Sequence, residues 1–260
     1  MISQDSFIPC RLCKSKKTLQ NKPGYYYVDS EYLGIKTTQI VECSCHKDFV
    51  KKQIFKINCK ESGVWDKSLD YDPSKDYVGD LSKVSVTRFS SFINNFEKFK
   101  DVLVYMQGPN GTQKTTLAQW AGASLIWKNY SVKYMLMQNL LMLLMSGFES
   151  DLDKIENIKR LHKYDLLIVD EAFSKDKVTL YESGYQLPFF DRFLRERLEI
   201  NKKSILFISN KLPDEIEKNK FSYSIQDFVI RNLAKGNTLL TFNDNYLKNK
   251  NTVNLNSIFD

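Results

Sequence analysis

The sequence predicts an α/β fold, a parallel sheet between helices, preceded by a small cysteine-bearing domain. Three observations carry this reading. From about residue 86 onward, strand-like and helix-like runs alternate. The strand-like runs are apolar almost throughout, as in Leu166-Leu167-Ile168-Val169, which suits strands covered on both faces. Upstream, Cys10-Arg11-Leu12-Cys13 and Cys43-Ser44-Cys45-His46 flank two β-rich runs.

Taken in order, residues 1–60 form the cysteine-bearing, Lys-rich part. Pro23-Gly24 signals a turn before the strand-like Tyr25-Tyr26-Tyr27-Val28, and Thr37-Thr38-Gln39-Ile40-Val41 reads as a second strand. After Cys45, the run His46 to Lys56 reads as a basic helix. Residues 61–85 look like a connector: Ser62-Gly63, Asp72-Pro73-Ser74 and Gly79-Asp80 are turn chemistry, and periodicity is poor. Residues 86–260 hold the α/β core. Helices are expected at Phe89–Lys98, Thr115–Lys128, Asn139–Ser146, Asp151–Leu161 and Gln186–Ile200. Strands are expected at Val102–Met106, Val132–Met137, Asp165–Val169 and Ser204–Ser209.

With 260 residues and 42% hydrophobic content, the chain can bury one large domain and a small one. A net charge of +7 suits an anionic partner such as nucleic acid, and equally a soluble basic surface. The first nine residues lack the basic and apolar regions of a signal peptide. The most apolar run, Met135 to Met145, is too short for a membrane span of roughly 20 residues. A cytoplasmic protein without membrane contact is expected. Of the five cysteines, four stand in two tight pairs, which points to metal binding in a reducing compartment.

The main chemical signal is Gly108-Pro109-Asn110-Gly111-Thr112-Gln113-Lys114-Thr115-Thr116, between a strand and a helix. This is the context of a phosphate-binding loop. Backbone N–H groups and a helix N-terminus face the anion, Lys114 adds charge, and the Thr115 hydroxyl can hold Mg²⁺. The pattern G-x-x-x-x-G-K-[ST] has glycine where Gln113 stands. A side chain there crowds the loop or imposes other backbone angles, so nucleotide binding is expected to survive with slow hydrolysis. The second signal is the apolar strand ending in Asp170-Glu171. Asp170 can orient Mg²⁺ and Glu171 can activate water. The third is Ser204 to Ser209 ending in Asn210, which either positions water near the phosphates or simply turns the chain before Leu212-Pro213. The fourth is Cys10, Cys13, Cys43 and Cys45, a set suited to tetrahedral Zn²⁺, with His46 able to replace a thiolate. Cys59 stands apart and reads as packing. Around Phe189 to Arg195 cations interleave with aromatics, yet Phe190, Phe193, Leu194 and Leu198 follow helical spacing, so a solvated face over an apolar underside is favoured.

The order of these features resembles the bacterial and phage replicative helicase loaders, the DnaC/DnaI-like AAA+ ATPases, whose relatives include transposition helper ATPases. The resemblance covers roughly residues 10–245. It implies that Gly108 to Thr115 correspond to the GPxGTGKT loop, Asp170-Glu171 to Walker B, and Asn210 to sensor I. Arg197 falls where the family has an arginine before its sensor strand. Arg231 aligns with an arginine finger that acts on a neighbouring subunit's nucleotide, or is a salt-bridged surface arginine. The implied fold is an AAA+ core behind a zinc-ribbon-like domain. The implied activity is an ATPase, with ATP, Mg²⁺ and Zn²⁺ bound. It would load a replicative DNA helicase onto single-stranded DNA and self-associate through the AAA+ domain, the N-terminal domain touching the helicase. A transposition helper ATPase shares the core. A non-hydrolysing, nucleotide-responsive adaptor or inhibitor of host replication proteins is the reading that Gln113 keeps open.

Overall fold

The computed structural model describes residues 10–11, 24–32, 35–99, 101–145, 151–180, 184, 186–236 and 238–243. Cys13, Pro23 and Ser146 lie outside the described residues. The chain divides into two compact units, Met1–Asn58 and Cys59–Asp260. No helix among the described residues is long and apolar enough to cross a membrane.

The first unit is built on an antiparallel hairpin. Strand β1 (Tyr25–Tyr32) pairs with β2 (Ile35–Glu42), from Tyr25 opposite Glu42 to Tyr32 opposite Ile35. Both strands are rich in β-branched and aromatic residues, which suit a pleated surface. Polar cross-strand pairs add to the ladder: the Ser30 and Thr37 hydroxyls lie 2.8 Å apart, and Thr38 Oγ1 donates to Asp29 Oδ1 at 2.7 Å. The hairpin is entered through Gly24, whose φ of +93° favours glycine. A Cβ there would lie 2.6 Å from the His46 side chain, so the turn has no room for one. Helix α1 (Ser44–Ser62) follows, and the boundary between the units falls within it. Cys59, near its end, is buried, and burial pushes its thiol up to about 12, in keeping with a packing role.

The second unit is a five-stranded parallel sheet. Its strands are β3 (Leu103–Gln107), β4 (Val132–Leu136), β5 (Leu166–Asp170), β6 (Ser204–Ser209) and β7 (Leu239–Thr241). Their spatial order is β4-β5-β6-β3-β7. Every residue of β5 and β6 is buried, as the continuous apolar runs predict. Alternation then divides the strands between two faces. Leu103, Tyr105, Leu167, Val169, Ile205 and Phe207 belong to one core cluster. It is closed by α4 (Met137–Met145), α5 (Asp151–Lys163), α6 (Gln186–Arg195) and α7 (Tyr223–Gly236). Helices α2 (Lys83–Asn94) and α3 (Lys114–Trp127) pack together through Phe89 and Trp120, with ring centroids 6.3 Å apart.

Several bounds differ from expectation. The helix expected from Phe89 starts at Lys83, because Val86, Phe89 and Ile93 bury one stripe. Residues 61–85 are more ordered than their turn residues suggest. They contain a 3₁₀ turn at Asp66–Asp70 and a helical turn at Pro73–Asp76, the latter capped by Asp72 through the Ser74 N–H at 3.0 Å. The Trp65 N–H donates to Gln119 Oε1 of α3 at 2.8 Å, so this segment is docked on the core. The helix expected at Gln186–Ile200 ends in one wider π turn, Glu196–Ile200. Its underside is Phe190, Phe193, Leu194 and Leu198, all buried. Its outward arginines are engaged in pairs, Arg192 with Glu196 at 2.6 Å and Arg195 with Asp191 at 3.2 Å.

Arg197 is among the largest fully buried side chains of the described residues. Its guanidinium donates to Ser204 O (2.7 Å), Leu161 O (2.8 Å) and Tyr164 O (2.9 Å). It thereby ties the end of α5 and the start of β6 to the π turn. Burial works against its charge, and Asp165 opposes that. Arg197→Ala would leave three carbonyls without this donor. It is expected to lower stability by on the order of 3 kcal/mol or more, read as a shift in the denaturant unfolding midpoint.

Candidate functional site

The site lies at the carboxyl edge of the parallel sheet, where β3, β5 and β6 end. Strand β3 leads through residues 108–113 into α3, so the loop is placed at a helix N-terminus. Gly108 takes φ +154°, and a Cβ there would lie 2.0 Å from the Phe242 carbonyl oxygen. Glycine is required because the chain leaving β7 crosses here, held by Phe242 N–H to Gln107 O at 2.8 Å.

Lys114 is buried and folded back over its own loop. Its Nζ donates to Gly108 O (2.8 Å), Pro109 O (2.8 Å) and Thr112 Oγ1 (2.9 Å). Burial pushes the ammonium down to about 8, against the pull of Asp170. Gln113 adopts the left-handed conformation, φ 60° and ψ 16°, which costs a non-glycine residue about 1–2 kcal/mol. Its side-chain amide is taken up by the preceding segment. Tyr71 O–H donates to Oε1 at 3.4 Å, and Nε2 donates to Val78 O at 3.2 Å. The crowding expected from a side chain at 113 is relieved by this sideways anchorage.

The acidic strand end is organised around Asp170. Its Oδ2 accepts from Thr115 Oγ1 (2.8 Å) and from Tyr134 O–H (2.6 Å), and its Oδ1 from Glu171 N–H (2.7 Å). Burial, then the bond to Asp170, raises the Tyr134 pKa far above the phenol range, so the hydroxyl remains a donor. Glu171 has φ 54°, and its carboxylate meets Lys177 Nζ at 3.4 Å. These groups line one cleft of about 430 Å³, together with Asn110 to Thr115, Ser209 and Asn210. Gly108 and Pro109 take part through the carbonyls that hold Lys114. Thr116 stands one residue further into α3. Arg231 lies apart on α7, exposed and paired with Asp227 at 2.6 Å.

Tyr134, Lys177 and the segment 71–78 were not singled out from sequence. The register of the sheet is what brings Tyr134 to the site, since β4 lies beside β5 and Leu136 pairs with Asp170. A strand residue two places earlier then reaches the carboxylate.

In the first unit, the thiols of Cys10, Cys43 and Cys45 lie within 4.8 Å of one another, with Cys10 and Cys43 Sγ 3.6 Å apart. Tetrahedral thiolate sites with bonds of ~2.3 Å place sulfurs about 3.8 Å apart, so the cluster has metal-site dimensions. His46 belongs to a different contact, its Nδ1 lying 2.7 Å from Glu42 Oε1.

A five-stranded parallel sheet of this order flanked by helices, with a glycine-bearing loop, an acidic strand end and a polar strand end at one edge, fits the AAA+ α/β fold. Solved structures agree with that class. The chain is similar to a DNA replication initiation factor, with 19% identity and a TM-score of 0.53 over 66% of this chain and 49% of that chain. It is similar to the replication initiator DnaA bound to AMPPCP and single-stranded DNA (18%, 0.53, 66% and 50%). It is also similar to DnaI (17%, 0.50, 68% and 92%). The chain thus spans about half the length of the first two. At these identities the likeness is one of fold. A scan against protein-family models gave no match, and neither did a search of curated proteins.

The Asp170 cluster has a structural consequence of its own. Tyr134→Phe keeps the ring and deletes one donor to a partly buried carboxylate. It is expected to cost about 1.5–3 kcal/mol of unfolding free energy, measured by denaturant titration. An unchanged midpoint would show that Tyr134 does not hold Asp170.

Proposed function

We propose that the chain is an ATP-dependent loader of a replicative DNA helicase onto single-stranded DNA. The observation that carries this reading is the convergence of Lys114, Thr115, Asp170 and Glu171 on one cleft at the edge of an AAA+-type sheet. The likeness to DnaI and to a DnaA that holds AMPPCP and single-stranded DNA supports it.

The residues divide the work by their chemistry. Lys114 exchanges its loop acceptors for phosphate oxygens, and the backbone of Asn110 to Thr115 surrounds the anion. Thr115 and Asp170 would hold Mg²⁺, which supplies charge neutralisation along the triphosphate. Glu171 takes a proton from the attacking water, and Asn210 orients that water. Arg231 acts in trans, which implies a homo-oligomer formed through the AAA+ domain. We assign residues 1–60 to helicase contact, 61–85 to the connection and 86–260 to the ATPase, in a cytoplasmic protein. Zn²⁺ is assigned to Cys10, Cys43 and Cys45, completed by Cys13, and its role is to hold the hairpin and the start of α1 together.

A second reading, a non-hydrolysing nucleotide-responsive adaptor, is favoured by one observation: Glu171 is paired with Lys177 rather than free to act as a base. Both side chains are substantially exposed, so the pair is weak and easily broken. Steady-state phosphate release with and without single-stranded DNA decides between the two.

Lys114→Ala is expected to lower nucleotide affinity by tenfold or more. Glu171→Gln should keep binding and stop turnover, because the lysine acts on ground-state phosphates and the glutamate on water. Equal ATP affinity in wild type and Lys114→Ala would defeat the phosphate-loop assignment. For the metal, elemental analysis of freshly purified protein should give one zinc per chain, and Cys43→Ser should lose it. Zinc-free wild-type protein would remove the assignment.

A further inference from the structure

Residue 113 is where this loop departs from its pattern, and the structure gives the departure a use. Glycine would supply φ 60° without a side chain. Glutamine keeps that conformation and adds an amide that reaches residues 71–78. Hydrogen bonds join that segment to the loop. Tyr71 O–H donates to Gln113 Oε1 (3.4 Å), Gln113 Nε2 donates to Val78 O (3.2 Å), and Tyr77 O–H donates to Thr112 O (3.5 Å). The flanks of the segment are fixed elsewhere. Trp65 N–H is held by Gln119 of α3 at 2.8 Å, and Ser82 Oγ accepts from Asn243 N–H at 2.9 Å. The flanks are thus tied to the core by short bonds; the middle packs Tyr77 against Phe242, with ring centroids 6.3 Å apart, and meets residues 112 and 113 through longer hydrogen bonds. The glutamine amide bond lies at the upper limit of the usual N–H···O range and the two tyrosine contacts lie beyond the usual O–H···O range, so all three are weak and readily exchanged.

We propose that Gln113 is a positioning residue that couples the phosphate loop to the segment 71–78, so that this segment reports whether the loop is occupied. The proposal rests on the reading of the cleft as a nucleotide site. An incoming phosphate draws Lys114 Nζ away from Gly108 O, Pro109 O and Thr112 Oγ1, and turns the neighbouring N–H groups toward the anion. Thr112 and Gln113 are the residues in between. Their movement is passed to Tyr77 through a carbonyl and to Tyr71 and Val78 through the glutamine amide. A glycine at 113 leaves only the first of these links.

The test is amide hydrogen exchange of peptides covering 71–80 in the full chain. It is run without nucleotide and with Mg²⁺ and AMPPCP at a concentration that saturates each protein, affinity being measured separately by titration. Wild type is compared with Gln113→Gly, which keeps the backbone conformation, and with Tyr71→Phe, which deletes one bond from the other side. In wild type, nucleotide should change exchange of 71–80 severalfold. In Gln113→Gly the nucleotide-free rate should rise severalfold and the response to AMPPCP should shrink at least threefold. Tyr71→Phe should bind nucleotide as wild type does and show a partial loss of response. Equal rates and equal responses in wild type and Gln113→Gly would overturn the proposal. So would wild type that binds AMPPCP with no change at 71–80, and that result leaves the nucleotide reading intact. Absence of AMPPCP binding in wild type defeats the nucleotide reading, and the coupling falls with it.

Discussion

The carboxylate of Asp170 is the point on which the cleft is assembled. One of its oxygens holds the first turn of α3 through Thr115 and the neighbouring strand through Tyr134, and the other holds the backbone of Glu171. Two segments distant in sequence, α3 and β4, are thus brought to one buried carboxylate at the end of β5. A carboxylate in that position needs donors, because an unpaired buried charge is costly. The same need that makes it a scaffold leaves it facing the Thr115 hydroxyl, the arrangement expected of a divalent-cation site.

Much of this was legible in sequence because its signals are local. The short, continuously apolar run Leu166 to Val169 suits a buried strand, and β6 has the bounds expected of it, Ser204 and Ser209, one residue beyond its apolar run at each end. The loop from Gly108 to Thr115 is contiguous, so its chemistry can be read without a fold. Tyr134 and Lys177 could not be found this way. Tyr134 reaches Asp170 only through the β4–β5 register, which no local pattern reveals. Residues 61–85 look irregular in sequence because their order comes from bonds to α3 and to the loop before it, not from periodicity. Helix α7 and the three-residue strand β7 also went unassigned, the latter being too short to carry a pattern.

Two arginines show why residue type alone does not assign a role. Arg197 and Arg231 both stand where the resemblance places functional arginines. Arg197 is fully buried and spends its donors on three backbone carbonyls, so its work is to join α5, the π turn and β6. Arg231 is exposed and held by one carboxylate a helical turn away. Such an i, i+4 pair contributes only about 0.3–0.5 kcal/mol, so the side chain is readily released to a stronger anion. Burial thus separates the fixed cation from the available one.

Lys114 completes the account of how the loop keeps its shape. Its ammonium is covered by protein, which burial penalises, and three loop oxygens offset that penalty. Without an anion the lysine therefore braces the very loop that would receive one. The loop's left-handed residue, Gln113, is held in turn by Tyr71 and Val78. Neither support is an ion pair: Lys114 is held by neutral oxygens at 2.8–2.9 Å, and Gln113 by neutral partners at 3.2–3.4 Å. A phosphate group would offer Lys114 an ionised acceptor, adding ion–ion attraction that the neutral loop oxygens cannot supply. If the loop takes an anion as proposed, these neutral supports are the ones that it would displace.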